Sequence, residues 1–416
     1  MTAAPACEGL SRYSADRPLA LLTDYAPDTA GGGAVILRSL LGPGERSRLV
    51  WMSPTPPADA DAAGPNVVTL AAGSAGRRGG RRSVGRDTTI YAGALAREAL
   101  AAARRRGAQA LWIVMHNAAV PIAARLVREA GMPVHLTVHD DPAFANALRS
   151  KRYLALVPWI ERAFRSAMIG ATSVDVIGRG MAERYRARYG VESSIVHRAL
   201  AGPVADAGPY DAGRLGLRVG VLGSTYAYGQ LPILAAAVAL AAGRLGVPGR
   251  VAIVGRSYGD RLKADVAGRV DVEVEVTGHV AEPEAVALLR DCFALYLNYP
   301  FGRRGAVLRQ TSFPTKLSTY VQAARPLLLH VPADSSVMPL VGPDGYATAW
   351  DSLDPGRGAD ALVAAWGRAE GHRSRHAEAE KARLAYYDPA RNREALFDAL
   401  DALVPPPGPA PAGGAS

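Results

Sequence analysis

The sequence predicts an α/β protein built from two doubly wound domains of similar size. The chain has 416 residues, which is too long for one ordinary hydrophobic core and fits two. Short apolar runs alternate along it with longer amphipathic runs, the order expected of parallel strands joined by crossover helices. This alternation pauses at residues 201–216, which are rich in Ala, Gly, Pro and Asp, and then restarts. We therefore expect a domain at 1–200, a linker at 201–216 and a second domain at 217–388.

The first half supplies three strands and two helices before a final strand, turn and helix. The predicted strands are 18–25, 110–117 and 133–142, and the predicted helices are 34–42 and 118–131. Segment 166–190 should continue with a strand, a turn and a helix that Gly190 ends. Ligands of such sheets lie beyond the carboxyl ends of the strands, so the residues that follow each strand are the candidates for function.

The second half repeats the pattern. The predicted strands are 217–224, 250–257, 272–280, 294–300 and 326–332, and the predicted helices are 233–246, 283–292, a helix with Pro314 and Lys316 in its first turn, 359–387 and 389–404. The proline-rich end, 405–416, should be disordered.

Composition limits the class of protein. Two cysteines, Cys7 and Cys292, stand far apart, so we expect neither a disulfide framework nor a cysteine zinc site, and a cytoplasmic location. The sequence shows no signal peptide pattern and no apolar run of about 18 residues that could span a membrane. It also has neither a GxSxG serine elbow nor a phosphate-binding GxxxxGK[ST] loop.

The net charge of +10 belongs entirely to the first half. Residues 1–200 carry 26 basic and 16 acidic side chains, whereas residues 201–416 carry 22 of each. The excess is concentrated at 76–86 and 103–107. Segment 76–86 is a candidate contact for an anionic membrane surface on the inner face or for an acidic substrate, and a solvated arginine-rich surface explains it equally well. We do not expect nucleic acid as a partner, because this segment has no interleaved aromatic residues for base stacking.

Two features of the first half are candidates for binding. Gly31, Gly32 and Gly33 lie in a strand-to-helix turn, where glycine lets backbone N–H groups approach a phosphate, although a purely structural turn is the alternative. His116 and His139 each follow a predicted strand, in position to contact a substrate, and Asp140 comes next to His139. His135, inside its strand, should be structural. We expect no metal, since no second ligand cluster supports the His-Asp-Asp run, and the Asp-Ala-Asp at 59–61 lies in an Ala/Pro-rich loop.

The stretch SFPTKLSTY is the most specific element of the second half. Only four of the 48 basic residues are lysines, and Lys316 is placed in the first turn of a helix that Pro314 opens. A cation is unfavourable beside the free N–H groups of a helix start unless an anion is bound there. Lys316 and the helix start are therefore predicted to share an anionic ligand; a solvent-exposed lysine is the alternative. The turn GSTYAYGQ, at 223–230, has the small and hydroxyl residues that suit close approach by a diphosphate.

With these residues in place, the chain resembles the GT-B glycosyltransferases, in particular the retaining, nucleotide-sugar-dependent family 4. The strongest likeness runs from GHVAEPEAVALLRDCFALYLNYP to FPTKLSTYVQAARPLLLHVPADSSV. The resemblance implies two Rossmann-like domains that face each other across a cleft, the first binding the acceptor and the second the nucleotide sugar. It also implies that 389–404 returns to the first domain. The expected reaction moves a sugar from a nucleoside diphosphate sugar to a hydroxyl acceptor, a polysaccharide or a secondary metabolite, with retention and without a metal or other cofactor.

The resemblance assigns roles to single residues. It makes His139 the residue that contacts the transferred sugar, and Gly32 and Gly33 the loop near the donor phosphates and acceptor. Gly223 and Ser224 match the turn that opens the second domain, and His279 and Val280 match the loop near the nucleobase. His116 and Asp140 are the acceptor-side candidates.

The chain departs from the family pattern at the donor site. The diphosphate-binding Arg and Lys after the first strand of the second domain are absent, and Thr311 and Thr319 replace a pair of glutamates, the second of which holds the ribose. The basic residues that could meet the phosphates instead are Lys316, Arg309, Arg256 and Arg303. Two alternatives therefore stay open: a non-catalytic partner subunit with a decayed donor site, and a sugar-nucleotide 2-epimerase, against which the two threonines argue because that reaction needs carboxylates.

Overall fold

The chain forms two compact units in a computed structural model. The structure describes residues 10–27, 32–58, 66–71, 91–116, 119–142, 156–255, 258–341, 346–367 and 372–405. One unit comprises Met1–Ala199 together with Pro389–Ser416, and the other comprises Leu200–Asp388.

The first unit is built on a seven-stranded parallel sheet in the order β3-β2-β1-β4-β5-β6-β7. Its strands are β1 Leu19–Leu22, β2 Leu49–Ser53, β3 Val67–Thr69, β4 Ala110–Val114, β5 Val134–Val138, β6 Ser173–Val176 and β7 Ser194–Ile195. Its helices are α1 Gly32–Leu40, α2 Pro43–Ser47, α3 Ala92–Arg105, α4 Ala119–Glu129, α5 Val157–Gly170 and α6 Arg179–Tyr189. Every residue of β1, β2, β4 and β5 is buried, as expected of parallel strands covered on both faces.

The last helix among the described residues packs in this first unit. Asn392 accepts a hydrogen bond from the backbone N–H of His197 at 2.7 Å, and Arg393 pairs with Glu45. Asp401 accepts hydrogen bonds from the hydroxyl and the backbone N–H of Ser11 at 2.6 and 3.0 Å. The helix, Pro389–Asp401, is numbered α15 below because the helices of the second unit precede it in the chain.

The second unit is built on a six-stranded parallel sheet in the order β10-β9-β8-β11-β12-β13. Its strands are β8 Leu217–Leu222, β9 Gly249–Val254, β10 Glu273–Val276, β11 Ala294–Asn298, β12 Leu327–His330 and β13 Ala347–Trp350. Its helices are α7 Ala212–Leu215, α8 Leu231–Leu245, α9 Gly259–Val266, α10 Glu282–Arg290, α11 Ala306–Thr311, α12 Lys316–Ala323, α13 Pro355–Gly367 and α14 His372–Tyr386.

Helix α8 lies in the core of the second unit. Leu234, Ala237, Val238 and Ala241 are fully buried against the sheet and against α13. Contrary to the expectation from the sequence, the described residues include one stretch, Tyr228–Leu245, that is long and apolar enough to span a membrane by length and composition alone. The burial of these side chains identifies it as a core helix of this unit.

A buried cysteine fills the space between β8 and the helix that precedes β11. Cys292 is fully buried, and the guanidinium of Arg218 donates to its sulfur at 3.6 Å. A Cβ at Gly220 would lie 2.8 Å from that sulfur, so only glycine fits at this point of β8. Burial raises the pKa of the Cys292 thiol to about 12, and the nearby Arg218 lowers it by a smaller amount.

The structure corrects several predicted elements. Strands β2 and β3 were not predicted, and residues 166–170 end helix α5, so that the following strand starts only at Ser173. The predicted helix 359–387 is two helices, α13 and α14, separated in the chain by residues 368–371. Segment 201–216 belongs by its contacts to the second unit, where Arg325 donates to Gly208 O at 3.1 Å. The predicted disordered tail lies outside the described residues, apart from Pro405.

Candidate functional site

Three neighbouring strands of the first unit end beside one another in polar aromatic residues. Tyr25 follows β1, His116 follows β4 and His139 follows β5. These strands are adjacent in the sheet, and the strand order reverses between β1 and β4. The crevice beyond the carboxyl ends at such a reversal is the usual place for a ligand in an open α/β sheet.

The polar atoms of these side chains converge on Gly33, in the first turn of α1. A Cβ added to Gly33 would lie 3.1 Å from Tyr25 Oη and 3.3 Å from both His116 Nε2 and His139 Nδ1. The His116 ring meets the edges of the other two rings, with centroid separations of 6.1 Å to Tyr25 and 5.9 Å to His139. Glycine at this position therefore avoids a close contact that any larger side chain would make with the three atoms.

These converging atoms have no hydrogen-bond partner within the described part of the protein. Tyr25 Oη, His116 Nε2 and His139 Nδ1 are all buried and unsatisfied. A buried polar group without a partner costs about 1–3 kcal/mol, and such groups in native proteins serve a ligand or a bound water. The cluster therefore has the properties of a binding site for polar groups.

The electrostatics of the cluster favour a neutral ligand group. Burial, with a smaller effect from nearby His116, lowers the pKa of His139 to about 3, so this imidazole is uncharged at neutral pH. Burial is also the main cause of the raised pKa of Tyr25, with the charge of Asp24 adding to it. A neutral imidazole and a phenol each offer a donor and an acceptor, which matches the hydroxyl groups of a sugar better than it matches a phosphate.

His135 has a structural role, as its position inside the strand predicts. Its Nδ1 lies 2.7 Å from Ser173 Oγ and its Nε2 lies 2.6 Å from Asp175 Oδ2, which also accepts from Thr137 at 2.5 Å. Both ring nitrogens are thus occupied within the fold. Asp140 is half-buried beside His139.

In the second unit, Lys316 holds the loop that follows β8. Its ammonium donates to Leu222 O at 2.9 Å and to Ser224 O, and lies 5.5 Å from the centre of the Tyr226 ring. Burial lowers the pKa of Lys316 to about 8. An ammonium has three N–H donors, so one remains for a ligand. The lysine thus fixes the turn at Gly223 and Ser224 to the start of α12, and its contact with an anion stays a prediction.

The turn itself depends on glycine and on an asparagine that the sequence did not single out. Gly223 has φ +61°, in the left-handed region, and a Cβ at Gly255 would lie 3.2 Å from its Cα. Asn298, the last residue of β11, accepts from Thr225 at 2.6 Å and donates to Ala227 O at 2.9 Å. The sequence did contain a signal for Asn298, since it is a polar residue at the end of a buried strand.

The other predicted phosphate ligands are engaged differently. The guanidinium of Arg309 forms a bidentate pair with Asp334, at 2.6 and 2.8 Å, and donates to Gly302 O at 3.0 Å. These hydrogen bonds are the main cause of the lowered pKa of Asp334. Arg303 is exposed at the start of a short 3₁₀ turn, and Arg256 lies outside the described residues.

The two threonines that replace the glutamates differ in their contacts. Thr311 is buried and donates to Val307 O at 2.6 Å within its own helix. Thr319 donates to Glu282 Oε1 at 3.0 Å, and Gln322 reaches the same oxygen at 3.4 Å. Glu282 is the first residue of α10 and was missed by the sequence analysis. Glu282 follows the predicted nucleobase loop closely in the chain, three residues after His279 and two after Val280. His279 is exposed and Val280 is half-buried.

Solved structures of other proteins have a similar fold. No family profile matches the sequence, and no curated protein matches it. Sucrose-phosphate synthase from Thermosynechococcus elongatus is similar with a TM-score of 0.69 and 14% identity, over 93% of this chain and 99% of that one. HepE from Anabaena, in complex with UDP and glucose, is similar with a TM-score of 0.61 and 14% identity, over 92% and 99%. The UDP-forming trehalose-phosphate synthase from Burkholderia vietnamiensis has a TM-score of 0.60 and 17% identity, over 93% and 98%.

These neighbours are glycosyltransferases of the GT-B class, and the chain has their α/β fold with two parallel sheets. The fold class predicted from the sequence is therefore confirmed. Within the described residues, no three His, Cys, Asp or Glu side chains are grouped so as to hold a metal ion.

Proposed function

We propose that this protein is a glycosyltransferase that moves a sugar from a nucleoside diphosphate sugar to a hydroxyl acceptor. The observation that carries the proposal is the cluster of Tyr25, His116 and His139, which presents unsatisfied hydrogen-bonding atoms at the reversal point of the first sheet. Sugar hydroxyls are neutral and act as both donor and acceptor, as these atoms require. The fold agrees with this activity, since its neighbours are glycosyltransferases.

The nucleotide belongs, in this proposal, to the second unit. The structural neighbour HepE is described in complex with UDP and with UDP-glucose, and uracil is therefore the first nucleobase to test. The loop at 223–230, the free donor of Lys316 and the start of α12 would stabilise the leaving diphosphate. Catalysis without a metal, and retention of configuration, follow from the resemblance to family 4 and belong to the same proposal.

Glu282 supplies a carboxylate where the family pattern has lost one. Thr319 stands in the position of the ribose-holding glutamate, and its hydroxyl contacts the Glu282 carboxylate. We propose that Glu282 and Thr319 together bind the ribose hydroxyls, with the acceptor capacity of Glu282 replacing that of the missing side chain.

The experiment that tests the donor site is calorimetric titration with UDP and with uridine. Lys316→Ala should weaken UDP binding by about 1.5–3 kcal/mol, the usual loss for a hydrogen bond to a charged group, and should leave uridine binding nearly unchanged. Lys263→Ala, at an exposed position of α9, is the matched control. Equal loss of UDP and uridine affinity would show that Lys316 only shapes the loop.

A non-catalytic partner subunit is the second candidate function. The pairing of Arg309 with Asp334 favours it, because this cation is occupied within the fold. The two functions are distinguished by testing whether free UDP forms from UDP-glucose in the presence of candidate hydroxyl acceptors. A glycosyltransferase should release UDP. UDP binding without any turnover across a panel of nucleotide sugars and acceptors would support the partner subunit.

The location is proposed to be cytoplasmic, with contact to an anionic membrane surface through segment 76–86. This segment lies outside the described residues, and the proposal rests on four of its five arginines, Arg77, Arg78, Arg81 and Arg82. Replacing them with serine should abolish binding to anionic vesicles at low salt, where screening is weak. Unchanged vesicle binding would mean that the segment is a solvated surface.

A further inference from the structure

A cavity of about 190 Å³ lies at the amino edge of the second sheet. Its lining comes from residues just before three adjacent strands: Tyr210 before β8, Phe293 before β11, and Arg325 with Pro326 before β12. The loop after β8 that Lys316 holds lies at the opposite, carboxyl edge of the same sheet. The cavity is therefore separate from the donor site proposed above.

Three aromatic rings form the wall of this cavity. Phe293 and Trp366 lie 4.8 Å apart by ring centroids, Tyr210 and Phe293 lie 5.6 Å apart, and Tyr210 and Trp366 lie 6.2 Å apart. Tyr210 is held in place by its hydroxyl, which donates to Gly216 O at 2.8 Å. These rings offer both faces and edges to a flat apolar group.

The charged part of the lining is entirely basic. Arg325 and Arg375 line the cavity, and none of its described lining residues is acidic. Arg325 is buried, lies 5.6 Å from the centre of the Tyr210 ring, and donates to the backbone carbonyls of Arg290, Gly208 and Ala207 at 2.7, 3.1 and 3.3 Å. Carbonyl oxygens accept from these donors, and the carboxylate of Asp291, outside the lining, also acts on Arg325. The lining itself carries only positive charge, so an anion is the ligand group that this wall favours.

We propose that this cavity binds a small molecule that has one aromatic ring and carries an anionic group. A cavity of about 150 Å³ with apolar walls accepts benzene, so the present volume holds one ring with a small substituent. The ring would lie among Tyr210, Phe293 and Trp366, and the anionic group would face Arg375 and the edge of Arg325.

The probes for this proposal are benzoate, phenyl phosphate and the neutral benzyl alcohol. Their binding to the full chain can be measured by ligand-observed NMR at low salt. Ligands this small reach a Kd of about 1 mM when they fit, and we expect that value for at least one of the two anions. Benzyl alcohol should bind at least about tenfold more weakly, because it lacks the charge. The comparison of the two anions decides between a carboxylate and a phosphate.

Two variants locate the site and one serves as a control. Ala212→Phe fills the cavity from its half-buried rim and should abolish binding of both anions. Arg375→Met should weaken anion binding about tenfold, and it remains informative if the first variant fails to fold. Arg269→Met removes an exposed arginine of the same unit and should change nothing. The proposal is overturned if neither anion binds, if benzyl alcohol binds as tightly as the anions, or if Ala212→Phe and Arg375→Met bind like the parent.

Discussion

His139 acts in this site as a neutral hydrogen-bonding group. Its low pKa, caused first by burial, keeps the imidazole uncharged at neutral pH. The side chain can thus donate to one hydroxyl and accept from another without attracting a free phosphate. Selection of a neutral ligand is a property of this buried environment and cannot be read from the residue type alone.

The kinetic consequence of this neutrality can be measured with His139→Ala. We expect the turnover number to fall about 10²-fold, in the range of a lost positioning contact, while UDP affinity stays nearly unchanged because the proposed nucleotide contacts belong to the second unit. The parent should also show no titration of His139 between pH 5 and 8. An unchanged turnover number with a working acceptor would remove His139 from the site.

Gly33 controls access to the same three polar atoms. Gly33→Ala would place a methyl group 3.1–3.3 Å from Tyr25, His116 and His139, which is tight but can be relieved by small side-chain shifts. We therefore expect a small change in melting temperature and a loss of activity of about tenfold or more, since a misplacement of about 1 Å can cost about 10²-fold in rate. Gly44→Ala, with nothing within 4 Å of the new Cβ, is the matched control. Equal activities of the two variants would contradict the assignment.

At the level of secondary-structure elements, the start of α10 is the main addition to the predicted site. Glu282 and Glu284 both lie in the first turn of this helix and interact with its dipole alike, but Glu282 alone of the two contacts Thr319 among the described residues. Glu282→Gln should weaken UDP binding about tenfold, since a charge-assisted contact to the ribose is lost. Glu284→Gln should not.

A ligand lacking the ribose hydroxyls gives the decisive comparison for Glu282. For 2′,3′-dideoxyuridine diphosphate, Glu282→Gln and the parent should bind with equal affinity, because the proposed contact is absent in both. If the glutamine variant loses the same affinity for both nucleotides, Glu282 acts through the fold and the ribose contact is wrong.

The secondary-structure elements that have a clear local pattern could be predicted from the sequence. Buried strands such as β4 and β5 are continuous apolar runs, and the histidines that follow them were found because parallel strands end at one edge. The short strand β3 carries too few residues for a periodicity, and β2 follows a short helix without a distinct turn signal. Tyr25 and Glu282 were missed because the contacts that single them out are with residues distant in sequence, which no local pattern records.

At the scale of the whole molecule, buried histidines make stability depend on pH. Burial is the main cause of the lowered pKa values of His139 and His197, to about 3, and of His330, to about 4. The unfolded chain, with an ordinary histidine pKa near 6.5, takes up protons first as the pH falls. The stabilisation from these neutral side chains is therefore complete above about pH 6.5 and is lost as the pH falls towards 3–4.

Denaturant unfolding at pH 7 and pH 4.5 measures this effect. Between these two pH values, each histidine with so low a folded pKa should lower the free energy of unfolding of the protein by about 2 kcal/mol. His139→Gln should therefore lose less stability than the parent over this interval. Parallel behaviour of the parent and His139→Gln would show that His139 titrates normally.

The rate at which the buried thiol of Cys292 reacts with an alkylating reagent can measure how often the second sheet opens. Thiol reagents attack the thiolate, and a fully buried thiol with a pKa of about 12 presents almost none of it near pH 8. Exposure of the sulfur requires β8 to separate from the segment that precedes β11. In a Cys7→Ser background, the rate of alkylation therefore reports how often this sheet opens, and an increase of that rate in any of the variants above distinguishes lost folding from lost chemistry.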